Sequence, residues 1–160
     1  MRVAVLTISD AGARGEREDR SGDAVEAWVR ERGSELAARE LVPDDVGRIV
    51  GVLCRWCDDD VADLVLTTGG TGLSPRDLTP EATRAVLERE APGLAERIRV
   101  LSVEQFPRAA LSRGLAGTRA RSLIVNLPGS TGGVRDALAA LEPIVAHAVG
   151  ILRDEPTDHT

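Results

Sequence analysis

Apolar positions along the chain fall into two kinds of pattern, continuous runs and spaced stripes, and they alternate. Val3 to Ile8 and Asp63 to Thr68 are continuous, as parallel strands covered on both faces must be. Arg121 to Leu127 reads the same way, and a weaker strand spans Glu35 to Val42. Between them lie helical stripes. Ala24, Val25, Trp28 and Val29 share one face of a helix that Ser21 can cap and that reaches about Arg32. Val46, Ile49, Val50, Leu53 and Cys57 form a second stripe after the Pro43-Asp44-Asp45 turn. Thr79-Pro80-Glu81 combines a cap residue, a proline and a first-turn acid, which starts a helix expected to run to about Glu90. Pro92-Gly93 opens another through Ser102, a short segment covers Phe106 to Arg113, and one helix or a pair spans Gly133 to Leu152.

Strands alternating with helices predict an α/β fold: three layers, α/β/α, around a mostly parallel sheet. The length suits a single domain over residues 1–153, with 154–160 a loose tail. Ligands of such sheets bind beyond the carboxyl ends of the strands, near a switch in strand order. Ser9-Asp10, Gly69 to Gly72 and Pro128 to Ser130 each follow a predicted strand, so all three turns are expected on one rim.

Composition narrows the chemistry. The net charge is −6 with acids dispersed, which argues against nucleic acid as the partner. No apolar run approaches the ~20 residues that span a bilayer, and Met1-Arg2 leads directly into a strand without signal-peptide anatomy, so the expected location is the cytoplasm. The chain has no lysine. That removes a lysine-dependent P-loop, Schiff-base chemistry and a covalent lysine adduct. His147 and His159 are too few for a histidine-based triad or metal site, and His147 is expected to pack on its helix. Cys54 and Cys57 have CxxC spacing but fall late in a helix, and no further cysteine could complete a zinc site; they read as packing residues.

What remains is Asp, Ser/Thr, Arg, backbone amides and a metal ion. Gly69-Gly70-Thr71-Gly72 follows a buried strand, where glycines let successive N–H groups face one anion. Pro128-Gly129-Ser130 leads into a helix N-terminus, a second place for a phosphate. Asp77, beside Arg76, and Asp44 are carboxylates that could hold Mg²⁺ on a triphosphate. The competing readings are a tight turn for the glycines, an Asx-turn for Asp77, and helix caps for Asp44 and for Ser130 or Thr131.

Asp63 to Arg84 (DLVLTTGGTGLSPRDLTPEATR) resembles the signature of the molybdopterin adenylyltransferase family, of MogA/MoaB type, whose fold recurs in the gephyrin G domain. The likeness extends through Leu6 to Asp10, Asp19 to Gly22, Leu41 to Asp45, Ala110 to Gly114 and Leu123 to Ser130. It implies Mg²⁺-dependent transfer of AMP from ATP to the terminal phosphate of molybdopterin. Asp44 and Asp77 are the implied catalytic and Mg²⁺-holding residues. Ser9, Ser112 and the two glycine loops are the implied nucleotide and pterin contacts, and Arg76 is assigned to pyrophosphate charge. The resemblance also implies a homotrimer, or a hexamer in close relatives, and a molybdenum-insertion protein as a partner. Thr131 after Pro-Gly-Ser departs toward the MoaB branch, so the alternative is a molybdopterin-binding carrier that transfers no AMP.

Overall fold

The computed structural model describes residues 1–156; His159 and the end of the expected tail lie outside the described residues. Six strands form one sheet in the order β2-β1-β3-β6-β5-β4. They are β1 (Arg2–Ile8), β2 (Glu35–Val42), β3 (Leu64–Thr68), β4 (Arg89–Glu90), β5 (Ala116–Arg119) and β6 (Ser122–Leu127). The pairs β1–β2, β1–β3 and β3–β6 are parallel, whereas β5 pairs antiparallel with both β6 and β4.

Alternation along the strands builds two cores. Val3, Val5, Leu64, Leu66, Leu123 and Val125 face α2 (Arg20–Glu31), α5 (Pro92–Val103), α6 (Thr131–Leu141) and α7 (Val145–Leu152). Ala4, Leu6, Ile8, Val65 and Ile124 face α3 (Val46–Asp58) and α4 (Thr79–Val86). The central strands β1, β3 and β6 are therefore apolar at successive positions, and helices cover the sheet on both sides.

The departures from expectation are local. Ser21 lies inside α2; its cap is Asp19, whose carboxylate accepts from the Gly22 N–H at 2.9 Å. Asp45, not Asp44, caps α3 by accepting from the Arg48 N–H. Thr79 is the first residue of α4 rather than its cap, and its hydroxyl donates to the Gly69 carbonyl at 2.8 Å. That helix stops at Val86, because Arg89–Glu90 peel away to extend the sheet as β4. β5 has no apolar run and is missing from the periodicity. A four-residue helix, α1 (Asp10–Ala13), interrupts the loop after β1. Cys57 is buried and Cys54 partly buried within the second core, as expected of packing residues. His147 is exposed on α7. Among the described residues, no helix is long and apolar enough to cross a membrane.

β1 is the switch in strand order: the chain steps from it to β2 on one side, and β3 lies on the other. The carboxyl ends of β1, β3 and β6 thus open toward one crevice, the position at which such sheets take ligands.

Candidate active site

A cleft of about 800 Å³ occupies that crevice. Its floor is the end of β1 (Thr7, Ile8, Ser9) and the turn after β3 (Gly69, Gly70). One wall is the start of α6 (Gly129, Ser130, Thr131), and the opposite wall is the start of α2 (Asp19, Arg20, Ser21) with Arg17 and Glu18. Asp44 and Asp77 both line it.

The glycine turn is dictated by crowding. Gly69 has φ +99°, and a Cβ there would lie 2.3 Å from the Ile8 carbonyl oxygen. Gly70 has φ +65°, and its Cβ would fall 2.4 Å from Thr79 Oγ1 and 3.0 Å from Asp44 Oδ1. Only glycine at these positions lets β1, β3 and the Asp44 carboxylate come so close. Across the cleft, Ser130 caps α6 by accepting from the Gly133 N–H at 3.1 Å, and Thr68 Oγ1 donates to the Pro128 carbonyl at 2.7 Å. The latter bond ties the turn after β6 to the end of β3.

The two carboxylates are held by main-chain donors. Asp44 Oδ2 accepts from the Asp10 N–H at 2.9 Å, and Asp77 Oδ2 accepts from the Ser74 N–H at 3.0 Å. The second contact runs backward to Ser74 and is not the Asx-turn weighed for Asp77, whose side chain would accept from a later N–H; that residue both closes its loop and faces the cleft. Burial pushes the Asp44 carboxyl above its ordinary range; the Asp10 N–H works against this, and the charges of Asp10 and Asp77 reinforce it. Asp10 moves the other way, held below the usual range first by the Asp44 N–H and then by Arg76.

Other candidates sit differently. Arg76 is committed to Asp10, with Nε and Nη2 donating at 3.0 and 3.1 Å, and its Nη2 also donates to the Asp44 carbonyl. Ser9 lines the cleft, and its Oγ caps α1 by accepting from the Gly12 N–H. Thr71, Gly72 and Ser112 are outside the cleft lining. Thr71 and Gly72 present carbonyls to Arg113, and Ser112 Oγ accepts from the Gly114 N–H.

Two cleft residues, Asp19 and Arg17, were not among the expected site residues. Asp19 caps α2, accepts from Thr7 Oγ1 at 2.9 Å and pairs with Arg39 at 2.8 Å. Its position three residues before Gly22 was the available signal. Arg17 reaches the cleft from an exposed loop, and nothing local marks it; Asp10, expected at the rim with Ser9, lies outside the cleft lining and meets Asp44 from another loop.

The donor set suits a hard divalent ion on a phosphate chain. Asp44 and Asp77 each use Oδ2 for a backbone N–H, and among the described residues no protein donor reaches either Oδ1. Carboxylate oxygens paired with ligand phosphates are what Mg²⁺ prefers. Among the described residues, no group of three or more His, Cys, Asp or Glu could hold a metal ion.

Comparison with known proteins accords with this geometry. Residues 4–147 match the family described as "Probable molybdopterin binding domain". The molybdopterin adenylyltransferase of Helicobacter pylori strain J99 is 39% identical over 154 residues, covering 95% of this chain and 88% of that protein. That of Escherichia coli K12 is 37% identical over 156 residues, covering 93% and 80%. The molybdenum cofactor synthesis protein cinnamon of Drosophila melanogaster is 40% identical over 152 residues, but the chain spans only 25% of its length. Among solved structures, the molybdopterin biosynthesis enzyme MoaB of Thermus thermophilus superposes with a TM-score of 0.92 at 50% identity, covering 98% of this chain and 99% of that one. The Mog protein of Mycobacterium ulcerans gives 0.89 at 39% identity, covering 94% and 97%. The chain belongs to the molybdopterin-binding domain family of molybdenum cofactor biosynthesis proteins.

Proposed function

We propose that this protein is a molybdopterin adenylyltransferase, transferring AMP from ATP to the terminal phosphate of molybdopterin. The observation that carries the reading is that Asp44 and Asp77, from separate loops, line one cleft with the Gly69-Gly70 turn and the start of α6. A molybdopterin phosphate oxygen attacks the α-phosphorus of ATP; the new phosphate–phosphorus bond forms as the bond to the β-phosphate oxygen breaks, and pyrophosphate leaves. Such transfers proceed by positioning and charge neutralisation, without a protein nucleophile, so a site lacking lysine and histidine is adequate. The phosphate nucleophile is already ionised near neutral pH and needs no general base.

Each group has a task. The Gly69-Gly70 turn lets a phosphate approach the backbone closely, with the Gly70 N–H as the donor, because the Gly69 N–H donates to the Leu127 carbonyl. The Ser130-capped helix start favours a second negative charge. Asp44 and Asp77 would hold Mg²⁺, which would supply the positive charge that offsets the triphosphate. Arg76 orders the Asp10–Asp44 pair in the ligand-free geometry, and pyrophosphate competes with Asp10 for it. Residues 1–153 act as one domain. The family resemblance supports a homotrimer or hexamer in the cytoplasm, whose product passes to a molybdenum-insertion protein.

Incubation with molybdopterin, ATP and Mg²⁺ should release pyrophosphate. Asp77→Asn should abolish that release while molybdopterin still binds by isothermal titration. Full turnover by Asp77→Asn would remove Asp77 from the chemistry. A second reading, a carrier that binds molybdopterin without transferring AMP, is favoured by Thr131 after Pro128-Gly129-Ser130 and by the likeness to MoaB. Molybdopterin binding with no pyrophosphate from the unaltered protein would select it.

A further inference from the structure

Arg113 lies outside the cleft, on the segment between the 3₁₀ turn Pro107–Leu111 and β5, yet nearly all its polar capacity is spent on the loop that carries Asp77. Its backbone N–H donates to the Thr71 carbonyl at 2.8 Å. Its Nε donates to the Gly72 carbonyl at 2.8 Å, and its Nη2 to the Asp77 carbonyl at 2.7 Å. The remaining guanidinium edge pairs with Glu81 in the first turn of α4. One planar group therefore bridges the two ends of the 72–77 loop while an acid on the next helix fixes its orientation.

A second tie closes the same loop nearer the sheet, where the Thr79 N–H donates to the Gly70 carbonyl and its hydroxyl to the Gly69 carbonyl. Within the loop, Asp77 donates its N–H to the Ser74 carbonyl and accepts the Ser74 N–H on Oδ2. The tip is exposed, with Leu73 at 65% and Ser74, Pro75 and Arg76 exposed as well, and its outward tie is Arg76, bonded to Asp10 and the Asp44 carbonyl. Without the guanidinium, the Gly72 and Asp77 carbonyls lose their donors. What then ties the loop to its surroundings is Thr79, together with the contacts of Arg76 to Asp10 and to the Asp44 carbonyl. A lysine, with one compact ammonium, cannot reproduce a fork that reaches two carbonyls and a carboxylate together.

We infer that Arg113 is a positioning residue for Asp77, cinching the loop from behind so that the carboxylate meets the cleft in one place. The inference deepens the adenylyltransferase reading and rests on it for the consequence in ligand binding, but the loop geometry can be tested without any ligand.

The experiment compares the unaltered protein with Arg113→Ala, Arg113→Lys, Asp77→Asn and the Asp77→Asn/Arg113→Ala double variant. In the ligand-free proteins, hydrogen exchange of the amides at 74, 77 and 79 should accelerate by roughly tenfold or more in Arg113→Ala, with the β3 and β6 amides unchanged. Unchanged exchange in the loop would overturn the inference whether or not the protein binds ATP. Titration with Mg²⁺-ATP should show affinity falling by about tenfold in Arg113→Ala and less in Arg113→Lys. In the Asp77→Asn background the same Arg113→Ala change should cost less than about twofold, because Arg113 acts through Asp77. An equal loss in both backgrounds would show a general structural role and sink the proposal. If Arg113→Ala does not fold, Arg113→Lys carries both measurements. Absence of Mg²⁺-ATP binding by the unaltered protein would instead count against the adenylyltransferase reading, leaving the exchange result to decide the role of Arg113.

Discussion

Asp10 and Asp44 hold each other by reciprocal bonds: the Asp10 N–H donates to Asp44 Oδ2 at 2.9 Å, and the Asp44 N–H donates to Asp10 Oδ1 at 3.0 Å. The two loops they belong to follow neighbouring parallel strands, and the ring locks the height of one against the other. Arg76 closes the arrangement from a third loop by pairing with Asp10 at 2.9 Å. The carboxylate with the raised proton affinity is thus the one held from behind by the carboxylate with the lowered one.

Asp10→Ala removes the acceptor for the Asp44 N–H and the partner of Arg76. Pyrophosphate release should fall by on the order of 100-fold, the scale set by misplacing a group by about 1 Å. Asp10→Asn keeps an oxygen for the Asp44 N–H and should retain substantially more activity. Steady-state rates for the two variants, with circular dichroism to confirm folding, check the ordering. Equal activity in both would mean the ring does not position Asp44.

Gly69→Ala places a methyl group into the Ile8 carbonyl at a backbone angle that L-residues seldom take. The variant should lose about 2 kcal/mol or more of stability in urea denaturation. Relief of the clash must push β1 and β3 apart at the floor of the cleft, so ATP affinity should drop with it. Gly132→Ala, where a Cβ meets nothing within 4 Å, is the control.

Cys54 and Cys57 should be dispensable for activity. Burial pushes the Cys57 thiol up to about 11, so it stays protonated near neutral pH and is a poor nucleophile. In the folded protein, iodoacetamide should label Cys57 slowly at pH 8, and denaturation should remove that protection. A Cys54→Ser/Cys57→Ser variant that lost adenylyl transfer while remaining folded would reopen a redox role.

Asp63 lies at the opposite end of the sheet from the cleft and binds Arg2 and Arg153 at 2.7 and 2.8 Å. Burial alone would raise its pKa, but the Arg2 N–H and the two guanidinium groups outweigh it and hold the carboxyl below the usual range. A group depressed in the folded state adds stability above its unfolded pKa, and that stability is lost as pH falls through the folded value. The urea midpoint should therefore decline as the pH falls below about 4, the ordinary aspartate range, and Asp63→Asn should flatten part of that decline. The remainder belongs to other depressed carboxylates, Asp60 among them.

The alternation of runs and stripes was enough to determine the layered α/β arrangement, because a strand buried on both faces and a helix buried on one must write different periods into the sequence. β2 could be read residue for residue, since polar neighbours bound it at both ends. β4 and β5 could not. Arg89–Glu90 is exposed, Ala116–Arg119 is short and contains a glycine; β5 becomes a strand only because β6 offers it an edge, and β4 only because β5 offers the next one. Caps went astray for a related reason: Asp19, Ser21, Asp44, Asp45 and Thr79 all carry cap chemistry, and the tertiary surroundings select among them.

The site divides along the same line. The glycine turn, the Ser130-capped helix start and the two acids at 44 and 77 announce themselves in the order of residues, since each sits where a strand ends. Whether they meet depends on contacts across the sheet: Gly69 against Ile8, Thr68 on Pro128, Asp10 facing Asp44, and Arg113 behind Asp77. Those pairs join residues remote in sequence, and no local period encodes them. Parallel strands deliver several loops to one rim, but only the packed structure decides which side chains the rim brings within hydrogen-bonding reach.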